Sequence, residues 1–155
     1  MIIRRFNEKD AKQTAELIAV TLRKSNSSDY TEEYIEETIK MLSTESLIER
    51  AKSGHMYIVS EDDMIVGCGA ITGYWGSLKE SILLTIFVRP EYQKRGIGKK
   101  IMETLEKDEI FLRSDRVEIP ASITACEFYK KMGYTYKDGI THPDEEGCIR
   151  LEKLR

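Results

Sequence analysis

The chain is expected to fold as one α/β domain, a mixed central sheet with helices packed on both faces. Three observations carry this expectation. Residues 56–60, 64–72 and 81–88 are strand-like runs that follow one another closely. Amphipathic runs with helical spacing lie before them, at 11–22 and 31–42, and after them, at 97–105. The 155 residues suit a single core, and no repeat, low-complexity tract or linker divides them, so one domain over residues 1–155 is expected.

In chain order, residues 2–6 read as a first strand. Asn7 or Asp10 is placed to cap the helix in which Ala11, Ala15, Ile18 and Leu22 recur. Residues 24–29 form a polar turn. Thr31 opens a second helix with Glu32, Glu33, Glu36 and Glu37 in its early turns, where carboxylates are favoured. Tyr34, Ile35, Thr38, Ile39 and Leu42 supply its buried side. Residues 46–52 make a short third helix ending at Gly54. The strand 56–60 turns through Glu61, Asp62 and Asp63 into the strand 64–72, where Gly67 and Gly69 point to a bend or bulge. A loop at 73–79 precedes the strand 81–88. In the next helix Ile97, Ile101 and Leu105 recur every four residues, and Leu112 follows at the next turn. Residues 116–120 are a strand that Pro120 ends. A helix is expected from Ser122 through Lys131, stopped by Gly133. Residues 134–136 and 148–152 are the last strands, joined by a polar loop at 138–147.

Bulk properties exclude several classes. With 41% hydrophobic and 33% charged residues the composition is that of a globular protein. No apolar run approaches a membrane span, and residues 1–5 lack the apolar core of a signal peptide, so no membrane partner is expected. Cys68, Cys126 and Cys148 are odd in number and form no C-x-x-C pair. They read as reduced thiols of a cytoplasmic protein, with neither a disulfide scaffold nor a zinc site. His55 and His142 are the only histidines, and no metal is expected. A net charge of -3 makes nucleic acid a poor partner.

Against that acidic background, the segment RPEYQKRGIGKK from Arg89 to Lys100 is basic and glycine-bearing. It sits where a strand meets a helix. The first N–H groups of a helix already carry partial positive charge, so cations there are unfavourable unless an anion joins them. Bare amides, glycines and cations together form a phosphate cradle. The dinucleotide fingerprint fails, because its third small residue is Ile101 here. A Walker A loop fails, because Gln93 and Lys100 occupy its first Gly and its Ser/Thr. The spacing that remains is Gln93-x-x-Gly96-x-Gly98.

That spacing resembles the coenzyme A pyrophosphate loop of the GNAT superfamily of N-acetyltransferases. A second likeness lies in residues 125–134, ACEFYKKMGY, where Ala125 is followed by Tyr129 and then by Gly133-Tyr134. The order and separation are the family's, and the likeness spans essentially the whole chain. It implies a GNAT-like sheet whose fourth and fifth strands, 81–88 and 116–119, splay apart. The pantetheine arm of acetyl-CoA would lie in the gap and bond the backbone near Phe87 and Val88. Gln93, Lys94, Arg95, Gly96, Ile97, Gly98 and Lys99 would hold the pyrophosphate. Ser122 replaces the Asn that the family often has before its last helix. Tyr129 matches the family's general acid.

The family's base is often a Glu on the fourth strand, where this chain has none. Glu80, just before that strand, and Glu118, on its splayed neighbour, are the candidates for it. The acceptor region implied by the family carries Asp29, Glu32, Glu33, Glu36, Glu37, Glu45 and Glu49, which points to a cationic amine such as a polyamine, an amino sugar or a protein amino group. The expected function is acetyl transfer from acetyl-CoA to a primary amine by direct attack in a ternary complex. The alternatives are a non-catalytic acyl-CoA-binding regulator and a module for another phosphorylated ligand. The terminal strand is a candidate to pair across a homodimer.

Overall fold

Polar caps fix where the helices start. The structure, a computed structural model, describes residues 1–155. Its elements are β1 (Ile2–Arg5), α1 (Ala11–Ser25), α2 (Glu32–Met41), α3 (Thr44–Lys52), β2 (Gly54–Glu61), β3 (Met64–Gly73), β4 (Glu80–Val88), α4 (Ile97–Leu105), α5 (Glu109–Leu112), β5 (Arg116–Ser122), α6 (Cys126–Lys131), β6 (Thr135–Tyr136) and β7 (Cys148–Leu154). Thr31 caps α2 by accepting from the Tyr34 N–H at 3.1 Å. Ser43 caps α3 through the Ser46 N–H, so this helix begins two residues earlier than its apolar spacing indicates. Neither Asn7 nor Asp10 caps α1 with its side chain. They close a capping box on the single turn Glu8–Asp10 instead, and Asp10 also holds Arg4 at 2.8 Å.

The seven strands form one mixed sheet in the order β1-β2-β3-β4-β5-β7-β6. Alternation along the strands divides the core. One face packs α4 and α6 residues such as Ile101, Leu105 and Tyr129 against Leu83, Val117 and Ile119. The other packs Leu17, Ile18 and Leu22 of α1, Ile35 of α2 and Leu47 of α3 against Met56, Ile58 and Cys68. The strand glycines serve the first face as well as the bend. A Cβ at Gly69 would lie 2.7 Å from Ile101 Cγ2, and one at Gly67 3.0 Å from Ile101 Cδ1, so α4 settles onto bare backbone. The register between β3 and β4 also slips between Cys68 and Ala70, with Thr85 opposite at φ 58.

The feature that positions the site is a short pairing. β4 and β5 run parallel and pair only at Glu80↔Arg116, Ser81↔Val117 and Ile82↔Glu118. Beyond Ile82 they part, while β5 stays paired with β7 as far as Ser122↔Cys148.

Three expectations are corrected here. Pro120 does not end β5. The strand has already lost β4 on one side, and such an edge tolerates proline. Ser122 therefore ends a strand instead of opening a helix, and α6 starts only at Cys126. The helix after the basic loop stops at Leu105, and Leu112 belongs to a separate turn where it is exposed. The break falls at buried Asp108, whose carboxylate accepts from the Ile110 N–H at 2.8 Å and from the Tyr57 hydroxyl at 2.6 Å.

Candidate active site in the gap between the splayed strands

β4 leads into a tight turn at Pro90–Tyr92 and then into the basic loop. The Gln93 N–H still bonds Pro90 O at 3.3 Å, and the Lys100 N–H bonds Gly96 O at 3.1 Å. The N–H groups of residues 94–99 between them donate to no backbone carbonyl. Lys94 and Gly96 both adopt left-handed backbone, at φ 64 and φ 82. Such turns make successive amides converge into an anion nest at the start of α4. Gly96 is required by its φ, and a Cβ there would meet nothing within 4 Å, so the space above it is open. Gly98 answers a different need. A Cβ on it would stand 3.2 Å from the Phe128 ring.

A cleft of about 370 Å³ runs from this nest into the gap. Ile86, Phe87 and Val88 of β4 form one wall, and Ser122, Thr124 and Ala125 form the other. Phe128 and Tyr129 of α6 close one side, and Thr21, Ser25 and Asn26 at the end of α1 close the other. Of the residues predicted to hold the cofactor, Phe87, Val88, Gln93, Lys94, Gly96, Gly98, Lys99 and Ser122 line this cleft. Arg95 and Ile97 do not. The Arg95 guanidinium lies over the Tyr92 ring at 4.9 Å, and the Ile97 side chain is buried beneath the helix, so each faces the nest with its backbone only. Gln93 acts as a brace, its amide donating to Val88 O at 3.0 Å and to Ser25 Oγ at 3.1 Å.

The α1 wall was not foreseen. Its signal is faint: Thr21 and Asn26 are buried polar residues at the end of an amphipathic helix.

Tyr129 is 5% exposed and lies edge-on to Phe128. Burial, with the nearby Cys68 thiol, pushes its phenol well above the ordinary tyrosine value. It therefore keeps its proton at neutral pH, and the residue lines the cleft. The thiols are poor nucleophiles. Burial pushes Cys68 up to about 12 and Cys148 up to about 11, and it raises Cys126 as well.

No carboxylate lines the cleft. Glu118 projects from the opposite face of the sheet, alternating with core residues Val117 and Ile119. It is 1% exposed and lies between Arg116 at 2.9 Å, Lys137 at 2.9 Å and Arg150 at 3.3 Å. Burial alone would raise its carboxyl, but Lys137 and Arg116 outweigh it and hold the group below the usual carboxylate range. Glu80 is ion-paired with Arg116 at 2.6 Å. Around Glu118 a second hollow of about 320 Å³ is lined by Tyr74, Trp75, Ile82, Lys137 and Arg150. Among the acids of the helical segment, Glu36 is paired with Arg23, Asp29 accepts from the Thr124 hydroxyl, and Glu49 is paired with Lys52. Glu32, Glu33, Glu37 and Glu45 are exposed. No group of three or more His, Cys, Asp or Glu side chains is arranged to hold a metal ion, and no helix is long and apolar enough to cross a membrane.

Comparison with known proteins agrees with this geometry. The family model described as the acetyltransferase (GNAT) domain matches residues 26–145. No curated protein sequence matches the chain. Among solved structures, the PaiA N-acetyltransferase of Thermoplasma acidophilum in complex with coenzyme A superposes with a TM-score of 0.84 at 21% identity, over 99% of this chain and 98% of that one. A GCN5-related N-acetyltransferase of Rhodopseudomonas palustris gives 0.81 at 22% identity, over 99% and 95%. An aminoglycoside 6'-N-acetyltransferase complexed with coenzyme A gives 0.67 at 19% identity, over 99% and 97%.

Proposed function

The chain belongs to the GNAT acetyltransferase family, and on that premise we propose that it moves an acetyl group from acetyl-CoA to a primary amine by direct attack in a ternary complex. The observation that carries this reading is the row of N–H groups at residues 94–99 without backbone acceptors, which opens onto the gap where β4 and β5 part after Ile82. The pyrophosphate sits on the nest, with Lys94 and Lys99 beside it. The pantetheine arm enters between β4 and β5 and bonds their free backbone groups in the manner of an added strand.

The amine nitrogen, once neutral, forms a bond to the thioester carbonyl carbon, and the carbon–sulfur bond breaks. Tyr129 gives its proton to the departing thiolate, which leaves as the free thiol. With every thiol raised above its useful range, an acetyl-cysteine intermediate is disfavoured and direct attack is favoured. Glu80 and Glu118 are already held by cations, so we assign loss of the ammonium proton to solvent. A cationic amine suits the exposed acids of α2 and α3, and an amino sugar is one candidate, since one similar structure is an aminoglycoside 6'-N-acetyltransferase.

The test is release of free coenzyme A thiol from acetyl-CoA with a panel of polyamines, aminoglycosides, amino acids, arylamines and peptides, with Gly96→Glu as control. Release that requires both an amine and Gly96 supports the transferase. Preference for neutral amino acids or arylamines over polycations would end the cationic assignment. The absence of a carboxylate in the cleft favours a second reading, an acyl-CoA-binding regulator. Tight binding without release for any amine would select it.

A further inference from the structure

Tyr30, in the turn between α1 and α2, joins parts of the molecule that are distant in sequence. Its hydroxyl accepts from the Ile123 N–H at 2.8 Å and donates to the Gly147 carbonyl at 2.7 Å. Ile123 lies between Ser122 and Thr124, which belong to the cleft wall. The adjacent Asp29 accepts from the Thr124 hydroxyl at 2.7 Å, so two bonds from one turn fix that wall. Tyr34 stacks on Tyr30 with ring centroids 4.5 Å apart, and its hydroxyl donates to the Glu146 carbonyl at 2.7 Å. Gly147 has φ 80, and a Cβ there would lie 2.9 Å from the Tyr34 hydroxyl.

The loop that these tyrosines hold reaches the second hollow. Asp144 binds Arg150 at 2.8 Å and Glu146 approaches it at 3.5 Å, while Arg150 also reaches Glu118 at 3.3 Å. Contacts therefore run without a break from the cleft wall, through Tyr30, to the loop behind the second hollow. No motif in the sequence marks them.

We propose that Tyr30 is a positioning residue that sets the turn after β5 against the pantetheine arm and couples it to the loop 144–147 behind the second hollow. The proposal rests on the reading of the cleft as a coenzyme A site. Tyr34 holds the same loop without touching the cleft wall, so the two tyrosines separate coupling from mere stability.

Coenzyme A affinity is measured by calorimetry, and KM and kcat are measured wherever an amine turns over, for Tyr30→Phe, Tyr34→Phe, Gly147→Ala and the pair Tyr30→Phe with Gly147→Ala. Tyr30→Phe strands the Ile123 N–H and is expected to weaken coenzyme A binding about tenfold. KM for acetyl-CoA rises in step, and kcat changes by less than about threefold. Tyr34→Phe shifts the affinity by less than about twofold, since both partners of Tyr30 remain in place. Gly147→Ala strains the loop at φ 80 and presses on Tyr34, which shifts the carbonyl that Tyr30 donates to. It is expected to weaken binding, and its effect vanishes in the Tyr30→Phe background. Gly147→Ala keeps the Tyr30 side chain and serves where the phenylalanine variant does not fold. Equal affinities for Tyr30→Phe and the wild type, equal losses for both tyrosine variants, or additive losses in the pair would overturn the proposal while leaving the coenzyme reading intact. A wild-type protein that does not bind coenzyme A would overturn both.

Discussion

The coenzyme loop and the Glu118 cluster are both dense in charge, but they use it in opposite ways. At Glu118 each ion has found its counter-ion: Arg116 meets Glu80, Glu118 and Glu152, and Arg150 meets Asp144 and Glu118. At residues 94–99 the backbone amides have found no backbone carbonyl, and the lysines around them add to their positive potential. A matched cluster holds strands together. An unmatched one is open to a ligand, because its amides can exchange water for the oxygens of an anion.

The strongest way to test this contrast is at the cleft itself. Tyr129→Phe removes the phenol proposed to protonate the departing thiolate, and kcat is expected to fall by about 10²–10⁴-fold with KM for acetyl-CoA nearly unchanged. An unaltered kcat in steady-state assays would remove Tyr129 from the mechanism. On the matched side, Glu118→Ala takes the counter-ion from Lys137, while Arg116 keeps Glu80 and Glu152 and Arg150 keeps Asp144, and it is expected to cost about 1–3 kcal/mol in urea unfolding. Glu118→Gln should lose stability too, yet keep kcat in the folded fraction. A stable but inactive Glu118→Gln would return Glu118 to the chemistry.

Acidity separates the regions further. The Arg4 guanidinium holds the Asp10 carboxyl below its ordinary value, and at Glu118 the pull of Lys137 and Arg116 exceeds the effect of burial. Folded values below unfolded ones mean that this stability is complete above the unfolded value and is lost as pH falls through the folded one. Thermal melts should therefore weaken below about pH 4. Activity follows another curve. With proton loss assigned to solvent, kcat/KM should rise about tenfold per pH unit up to the pKa of the acceptor amine. A plateau set by a group of pKa near 6 would instead require a base on the protein. The smallest effect concerns Ser81, whose buried hydroxyl has no partner. Ser81→Ala should be neutral or stabilise by up to about 1 kcal/mol in the same unfolding assay.

The strand runs, most helices and the nest were legible because each rests on local chemistry: β-branched runs, capping hydroxyls, and glycines beside cations. Pro120 misled because its tolerance depends on β4 having already left, a fact of pairing and not of neighbours in sequence. Leu112 misled because apolar spacing continues across a break that Asp108 makes by bonding Tyr57, some fifty residues earlier. Arg95 and Ile97 share the motif with wall residues, but the Tyr92 ring draws the Arg95 guanidinium away and the first turn of α4 buries Ile97. Of the cations that hold Glu118, Arg116 lies two residues away on the same strand, but Lys137 and Arg150 come from the turn after β6 and from β7, beyond the reach of local spacing. The Tyr30 contacts have sequence separations near one hundred, and no spacing rule reaches that far.

The unpaired amides at 94–99 also give the protein a built-in gauge. Backbone hydrogens without acceptors exchange with deuterium quickly, whereas those locked in β3 or α4 wait for the molecule to open. The turn before α4 should thus label within the first moments in heavy water and become slow once a phosphate sits on it. Mass spectrometry of that one peptide would report occupancy of the site by any ligand, without a reaction and without knowledge of the acceptor.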